Sequence, residues 1–242
     1  MDALGIDGAP DGWIGVAVED DEFHPIGPTK HIAELLNPVP NGVTALVDIP
    51  IGLPDEKHPR RKCDRQARTK LKPERHSSVF DPPVREVIKM DTREQASETQ
   101  NELIGRGISV QSWGIRDKIL DVDAFLRSST NGSRPTLREA HPEVCYAALG
   151  DRPTQYSKTG QPAAAVWERV ERQDKVVDNP ASILRTLASD LDAAVSNHDL
   201  LDALVLALVA SDRTGPIETL PPDPPSDAEG LRKEIVFARP RN

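Results

Sequence analysis

The sequence of 242 residues predicts an α/β fold, in which helices flank a central sheet. The first fifty residues contain short apolar segments bounded by Gly, Pro and Asp, which is typical of β-strands. The chain after them has longer segments of helix-forming composition, and a last strand-like segment, 234–238, near its end. Because we see no internal repeat and no clear linker, we expect one domain over residues 1–242, with a helical insertion at about 58–132.

The first elements are strands that surround one short helix. Segments 3–6 and 13–18 are apolar, and the intervening residues 8–12 are rich in Gly, Pro and Asp, so the two segments predict a β-hairpin. A third short strand, a helix and an apolar strand follow at 23–26, 30–36 and 42–48.

Helices dominate the rest of the predicted chain. Residues 76–83 are predicted to form a loop. A proline-rich stretch from residue 216 is expected to run over the surface. One further strand is predicted at 136–140, and helices are predicted at 60–71, 91–106, 114–127, 162–173, 180–195 and 198–212.

Composition limits the classes of function. The net charge of −9 argues against non-specific nucleic-acid binding over the whole surface, because such proteins are usually basic. The longest apolar segment, 200–210, is too short for a membrane span and is interrupted by Asp202, so we expect no membrane partner. The N-terminus lacks the features of a signal peptide, so we expect a cytoplasmic location with Cys63 and Cys145 as free thiols. The oligomeric state stays open.

A basic segment stands out from the acidic chain. Residues 58–76 carry eight Lys and Arg against two acids, a net charge of +6. We expect this segment to border the functional cleft and to contact substrate phosphates, because a guanidinium matches phosphate oxygens. The alternative is a solvated helix face. The candidate phosphate ligands are Arg60, Arg61, Arg65 and Arg68.

Acidic residues recur at the ends of predicted elements. Asp7, Asp48 and Glu139 each lie at the end of a strand, and Asp199 and Asp202 open the last long helix. The spacing of three residues places the last two close to one helix face. In α/β sheets, sites form outside the carboxyl ends of the strands, so parallel neighbouring strands would bring these acids together.

Converging carboxylates repel one another and raise their own pKa values, and divalent cations relieve that repulsion. Sites rich in hard oxygen ligands select Mg²⁺ or Mn²⁺, which can activate water and stabilise the leaving oxygen of a phosphodiester. Structural explanations also exist for these acids, and the weakest is that for Asp202, which has apolar neighbours on both sides and needs a partner. Asp199 suits a helix N-terminus, Asp7 a turn and Asp48 a loop cap, while Glu139 could pair with the adjacent Arg138.

Motifs along the whole chain resemble one known family. "GIDGAPDGWIGVAV", "VDIPIGLP", "RRKCDRQAR", "SSVF", "REAHPEVCYAALG", "LLDALVLALVASD" and "EGLRKEIVF" resemble the domain-of-unknown-function family 429 (DUF429). Members of this family are predicted RNase H-like nucleases. The resemblance therefore implies an RNase H-like fold, which is a mixed central sheet flanked by helices.

The resemblance also implies roles for individual acids. "HDLLDAL" is similar to the last-helix motif of RuvC-like resolvases, in which two aspartates three residues apart bind metal. By this likeness, Asp7 is the metal ligand of the first strand, Asp48 that of the fourth strand, and Asp199 and Asp202 form the helix pair. Glu139 belongs to the "EAHPE" motif, which RuvC-like enzymes lack, and is a further catalytic candidate.

The expected function is metal-dependent hydrolysis of phosphodiester bonds in DNA or RNA, with Mg²⁺ or Mn²⁺ as cofactor. Two alternatives stay open at this point. The first is an actin-like phosphotransferase or ATPase, since "GIDGAPDG" loosely matches a phosphate loop, although the chain lacks the second loop of that class. The second is a non-catalytic nucleic-acid-binding or scaffold protein that retains the fold.

Overall fold

A five-stranded mixed sheet forms the centre of the structure, a computed structural model that describes residues 1–128, 135–191 and 195–241. Its strands are Ala3–Ala9 (β1), Gly12–Glu19 (β2), Glu22–Thr29 (β3), Thr44–Val47 (β4) and Thr136–Glu139 (β5). Their order is β3-β2-β1-β4-β5. The hairpin of β1 and β2 is antiparallel, as predicted, and β4 runs parallel to both β1 and β5.

Helices cover the sheet, so the predicted mixed α/β architecture is confirmed and is consistent with an RNase H-like fold. The α-helices of the described residues are Ile32–Leu36 (α1), Lys62–Lys70 (α2), Arg93–Ile104 (α3), Val110–Gly114 (α4), Arg116–Arg127 (α5), Pro142–Gly150 (α6), Pro162–Gln173 (α7), Pro180–Ser189 (α8) and Asn197–Ala210 (α9). None of these helices combines the length and hydropathy needed to cross a membrane.

The helical insertion lies between β4 and β5 and contains α2 to α5. A small separate core forms within it, from Val84, Val87, Ala96 and Ile108. Some predictions fall on residues that the structure does not describe. These are residues 129–132 of the predicted insertion and residues 192–194 of the helix predicted at 180–195. Residue 242 is also outside the described residues.

Several elements of the structure differ from the sequence prediction. Helix α4 and the 3-10 helix His76–Ser78 lie in segments without a predicted helix, and α6 and one strand differ as well. The pattern assigned no helix to 142–150, because α6 is buried on almost every side and carries no amphipathic period. Glu218–Leu220 (β6) falls within the predicted surface stretch, yet it pairs antiparallel with Ile235–Phe237 (β7). Such a short strand forms through its partner rather than through local propensity.

The contact between α9 and β1 is unusually close and depends on Gly5. A Cβ atom at Gly5 would lie 2.0 Å from the carbonyl oxygen of Ala203 and 2.2 Å from the nitrogen of Ala207. Since no other residue type fits, the glycine lets the α9 backbone lie directly on the sheet. This contact fixes the position of the acids at the start of α9 relative to the end of β1.

Candidate active site

The register of β1 and β4 brings two acids to one edge of the sheet. Ile6 is paired with Val47, and the Asp48 N–H donates a hydrogen bond to the Ile6 carbonyl at 3.1 Å. Asp7 and Asp48 occupy the next position on each strand. Because side chains alternate between faces, both carboxylates project to the face that also carries Gly5, which is the face covered by α9.

Helix α9 adds the third acid from the side. Asp202 precedes Ala203, the residue that lies against Gly5, and only 1% of Asp202 is exposed. Asp199 is one turn earlier. The hydroxyl oxygen of Ser196 caps the helix by accepting a hydrogen bond from the Asp199 N–H at 3.1 Å. Helix α9 is thus part of the core, and the acids at its start lie where the helix reaches the edge of the sheet.

Burial and neighbouring negative charges raise the pKa values of the three carboxyls. Burial, followed by the charges of Asp202 and Asp48, raises the pKa of Asp7 well above its usual range. Burial also raises the pKa of Asp48 to about 6, with a contribution from Asp202, and raises that of Asp202. We therefore define the acid cluster as Asp7, Asp48 and Asp202, with Asp199 at its margin.

A lysine that sequence reasoning missed lies among these acids. The Lys158 ammonium, from the segment between α6 and α7, contacts Oδ2 of Asp202. Burial alone would lower the pKa of Lys158, but the charges of Asp202, Asp7 and Asp48 raise it. A single basic residue in a loop carries no sequence signal of this kind, because loop lysines are usually exposed.

The acid cluster has the donor chemistry of a divalent-cation site. Its ligands are all carboxylate oxygens, and Oδ1 of Asp202 is buried without a hydrogen-bond partner in the protein. In the described ranges, however, no three His, Cys, Asp or Glu side chains have the spacing to hold a metal ion in this conformation. The donor set thus fits Mg²⁺ or Mn²⁺, but the side chains must rearrange, and the Lys158 ammonium already contacts one of the oxygens.

A second charged group, formed by Glu143 of α6 and Arg169 of α7, lies near the acid cluster. Arg169 of α7 donates to Oε1 of Glu143, and the Thr154 hydroxyl donates to Oε2 at 2.5 Å. Burial alone would raise the pKa of Glu143, yet Arg169 and Thr154 lower it. Glu143 therefore stays ionised and adds to the negative charge near Asp202.

The structure does not bring Glu139 into the acid cluster. Glu139 pairs with Val47, one position before Asp48, so its side chain leaves the opposite face of the sheet. There it accepts hydrogen bonds from Arg61 and from the Ile51 N–H, the latter at 2.7 Å. Burial raises the pKa of Glu139 to about 8, although Arg61 opposes this effect. Glu139 thus stands apart from the acid cluster and is paired with Arg61, yet it lines the same cavity as Asp48 and Asp202.

Arg61 also lies elsewhere than predicted. Its side chain is 0% exposed and is held by Glu139, with Asp64 3.7 Å away. Its segment folds inward because Cys63, two residues on, is part of the core. The prediction that Arg61 contacts substrate phosphates is therefore corrected, since a fully buried guanidinium cannot reach them.

The other predicted phosphate ligands divide into two groups. Arg68 donates to Oδ1 of Asp81 at 2.8 Å and to the Val79 carbonyl at 3.0 Å, so its guanidinium is already engaged. Arg60 and Arg65 are exposed. The two cysteines are buried free thiols.

A cavity of about 420 Å³ opens beside the acid cluster. Asp48, Asp202 and Lys158 line one part of it, and apolar side chains form much of the remaining wall. Phe80 is 37% exposed there, although large aromatic side chains are usually buried. Among the described residues that line the cavity, Arg75 is the arginine, rather than any of the four that we predicted. The apolar wall comprises Ile49, Pro50, Val79, Phe80, Ile115, Pro142 and Ile235.

Comparison with known proteins identifies a family. A family profile described as "Protein of unknown function (DUF429)" matches residues 5–226, which is most of the chain. The chain belongs to the DUF429 family. A search of the curated proteins and of the solved structures found no match. The range of this DUF429 protein that matches the profile contains Asp7, Asp48, Lys158 and Asp202.

Proposed function

We propose that this DUF429 protein is a metal-dependent nuclease that hydrolyses phosphodiester bonds. The observation that carries the proposal is the convergence of two buried carboxylates, Asp7 and Asp202, with the partly buried Asp48 at a sheet edge beside a cavity. Holding three like charges together destabilises the fold, and such clusters are typical of sites whose chemistry needs them.

The acid cluster would hold Mg²⁺ or Mn²⁺, with Asp199 as a further oxygen ligand at its margin. When bound, such an ion supplies Lewis-acid stabilisation of the phosphoryl oxygens and activation of water. The protein orients the ligands, because Gly5 sets the distance between α9 and β1. The cavity receives the group attached to the phosphate, and its apolar wall limits access of bulk water.

Two features favour nucleic acid as the substrate. Phe80 offers an exposed aromatic face inside the cavity, and bases stack on such faces. Arg60 and Arg65 supply exposed positive charge in a protein of net charge −9. DNA and RNA share this chemistry, so both belong in the assay.

The test is hydrolysis of end-labelled DNA and RNA oligonucleotides with Mn²⁺, Mg²⁺ or EDTA, with ATP hydrolysis measured in parallel. We expect cleavage that needs the metal, and no ATPase activity. ATP hydrolysis without cleavage would favour the phosphotransferase alternative, whereas binding of oligonucleotides without either activity would favour the scaffold alternative.

Phe80→Ala is expected to raise KM for a single-stranded oligonucleotide about tenfold with little change in kcat, because stacking contributes about 1–3 kcal/mol per base. The measurement is steady-state cleavage by wild type and variant. An oligonucleotide with abasic sites around the scissile bond is the control, since its cleavage should not respond to the substitution. Equal KM values for the intact oligonucleotide would contradict a stacking role.

Arg60→Ala combined with Arg65→Ala is expected to flatten the salt dependence of oligonucleotide binding. The slope of log K against log salt is negative, and each lost phosphate contact reduces its magnitude by about 0.7 for a single strand and about 0.9 for a duplex. Binding is measured by fluorescence anisotropy over a salt series in EDTA. The exposed Lys175→Ala is the matched control, and an unchanged slope in the double variant would exclude phosphate contacts by these arginines.

A further inference from the structure

Lys158 enters the acid cluster from the surface. Its side chain is 35% exposed along its length, while the Asp202 side chain that it contacts is 1% exposed. A lysine has a flexible stem of four carbons, so its ammonium can leave the cluster without any change in the backbone.

The backbone around Lys158 is anchored on both sides. The Gln155 and Tyr156 N–H groups donate to the Glu168 carboxylate at 2.8 and 2.9 Å, and the Gly160 N–H donates to the Ser157 hydroxyl at 2.8 Å. These bonds hold the segment in place and leave the Lys158 side chain as the part that can move. The ammonium can therefore move only as far as the Lys158 side chain reaches from a fixed backbone.

We propose that Lys158 is the resident counter-cation of the acid cluster, and that its ammonium and a divalent ion occupy the cluster in mutually exclusive states. This inference rests on the proposed function, because it concerns the metal of that same site. The ammonium offsets the repulsion among the carboxylates in the metal-free protein and swings out towards the cavity when the ion enters.

The contacts of Asp202 lead to this exclusion. The Lys158 ammonium contacts Oδ2, and Oδ1 is buried without a partner, so one carboxylate faces a cation on one oxygen only. A divalent ion bound to Asp202 would stand next to the ammonium and be repelled by it at short range. Among the described residues, no three His, Cys, Asp or Glu side chains are spaced to hold a metal ion, which agrees with a cluster arranged around the lysine.

The first experiment measures Mn²⁺ affinity from the electron paramagnetic resonance signal of free Mn²⁺. Two cations that compete for one site are coupled unfavourably, and couplings between ligands typically amount to about 5- to 150-fold. We expect Lys158→Met to bind Mn²⁺ at least about tenfold more tightly than wild type. Lys158→Arg, which keeps the charge, and the exposed Lys175→Met should both stay close to wild type.

The second experiment uses the wild-type chain and needs no variant to fold. A short pulse of acetic anhydride labels lysine amines, and mass spectrometry follows the Lys158 peptide with and without saturating Mn²⁺. We expect labelling of Lys158 to increase several-fold with Mn²⁺, because the displaced amine reaches solvent, while Lys175 serves as the internal reference.

The outcomes separate this inference from the function on which it rests. Mn²⁺ that binds wild type and Lys158→Met equally, or that leaves Lys158 labelling unchanged, overturns the counter-cation role and leaves the metal site intact. Failure of wild type and of every variant to bind Mn²⁺ overturns the proposed metal site, and the inference with it.

Discussion

Asp7→Asn is expected to lower metal-dependent hydrolysis about a thousandfold, which corresponds to about 4 kcal/mol of transition-state stabilisation. The same change should raise the free energy of unfolding of the metal-free protein. Asparagine keeps the shape of the side chain, including an oxygen that can accept the Gly8 N–H bond, which is 2.7 Å long in wild type. It removes one of the three charges that repel each other in the acid cluster.

The stabilisation by Asp7→Asn should depend on pH in a definite direction. The pKa of Asp7 in the folded protein is raised above its unfolded value of about 3.9, so ionisation costs more in the folded state. This cost is absent below the unfolded pKa and grows as the pH rises through the folded pKa. Wild type and variant should therefore be equally stable near pH 4, and the variant should be more stable at pH 8.

Urea unfolding in EDTA at the two pH values measures this difference, and addition of Mn²⁺ supplies the contrast. Binding to the native state stabilises it by RT ln(1 + [L]/Kd), about 2.7 kcal/mol at a hundredfold excess over Kd, and the variant should lose most of this gain. Asp11→Asn changes an exposed acid in the turn that follows β1 and is the matched control. A variant that is less stable in EDTA yet gains as much from Mn²⁺ would contradict a metal-ligand role for Asp7.

Arg61→Met is expected to destabilise the protein by about 3–5 kcal/mol, since removing one partner of a buried pair leaves the other charge unpaired. In the part of the chain that the structure describes, Arg61 is the only cation paired with Glu139, and it also lies near Asp64. The substitution removes it from both acids. The measurement is urea unfolding at pH 9, above the pKa of about 8 at which Glu139 ionises in the folded protein. Arg60→Met, which changes the exposed neighbour, should alter stability by less than about 0.5 kcal/mol.

The Arg61 result also decides between two roles for the basic segment. A structural Arg61 predicts lost stability and an unchanged salt slope for oligonucleotide binding in the variant that still folds. A loss of stability below about 1 kcal/mol together with a flatter salt slope would restore the phosphate contact predicted from sequence.

Much of the fold could be predicted because its signals are local. The β1–β2 hairpin follows from two apolar segments around a turn rich in Gly, Pro and Asp, and helix 162–173 begins with a proline in its first turn. Helix α6 could not be predicted in this way, because burial on all sides removes the amphipathic period. Strand β6 could not be predicted either, because its paired residues in β7 are fifteen or more positions away along the chain.

The sequence by itself determined the acids Asp7, Asp48 and Asp202 as one candidate site, because strand ends and a helix start are local features whose meeting place follows from a parallel sheet. Only the tertiary structure decided the surroundings of these acids. Lys158 contacts Asp202 across 44 residues, and Arg61 contacts Glu139 across 78, so neither partner is set by local spacing. Strand register decided the rest, since one position along a strand turns Glu139 to the opposite face from Asp48.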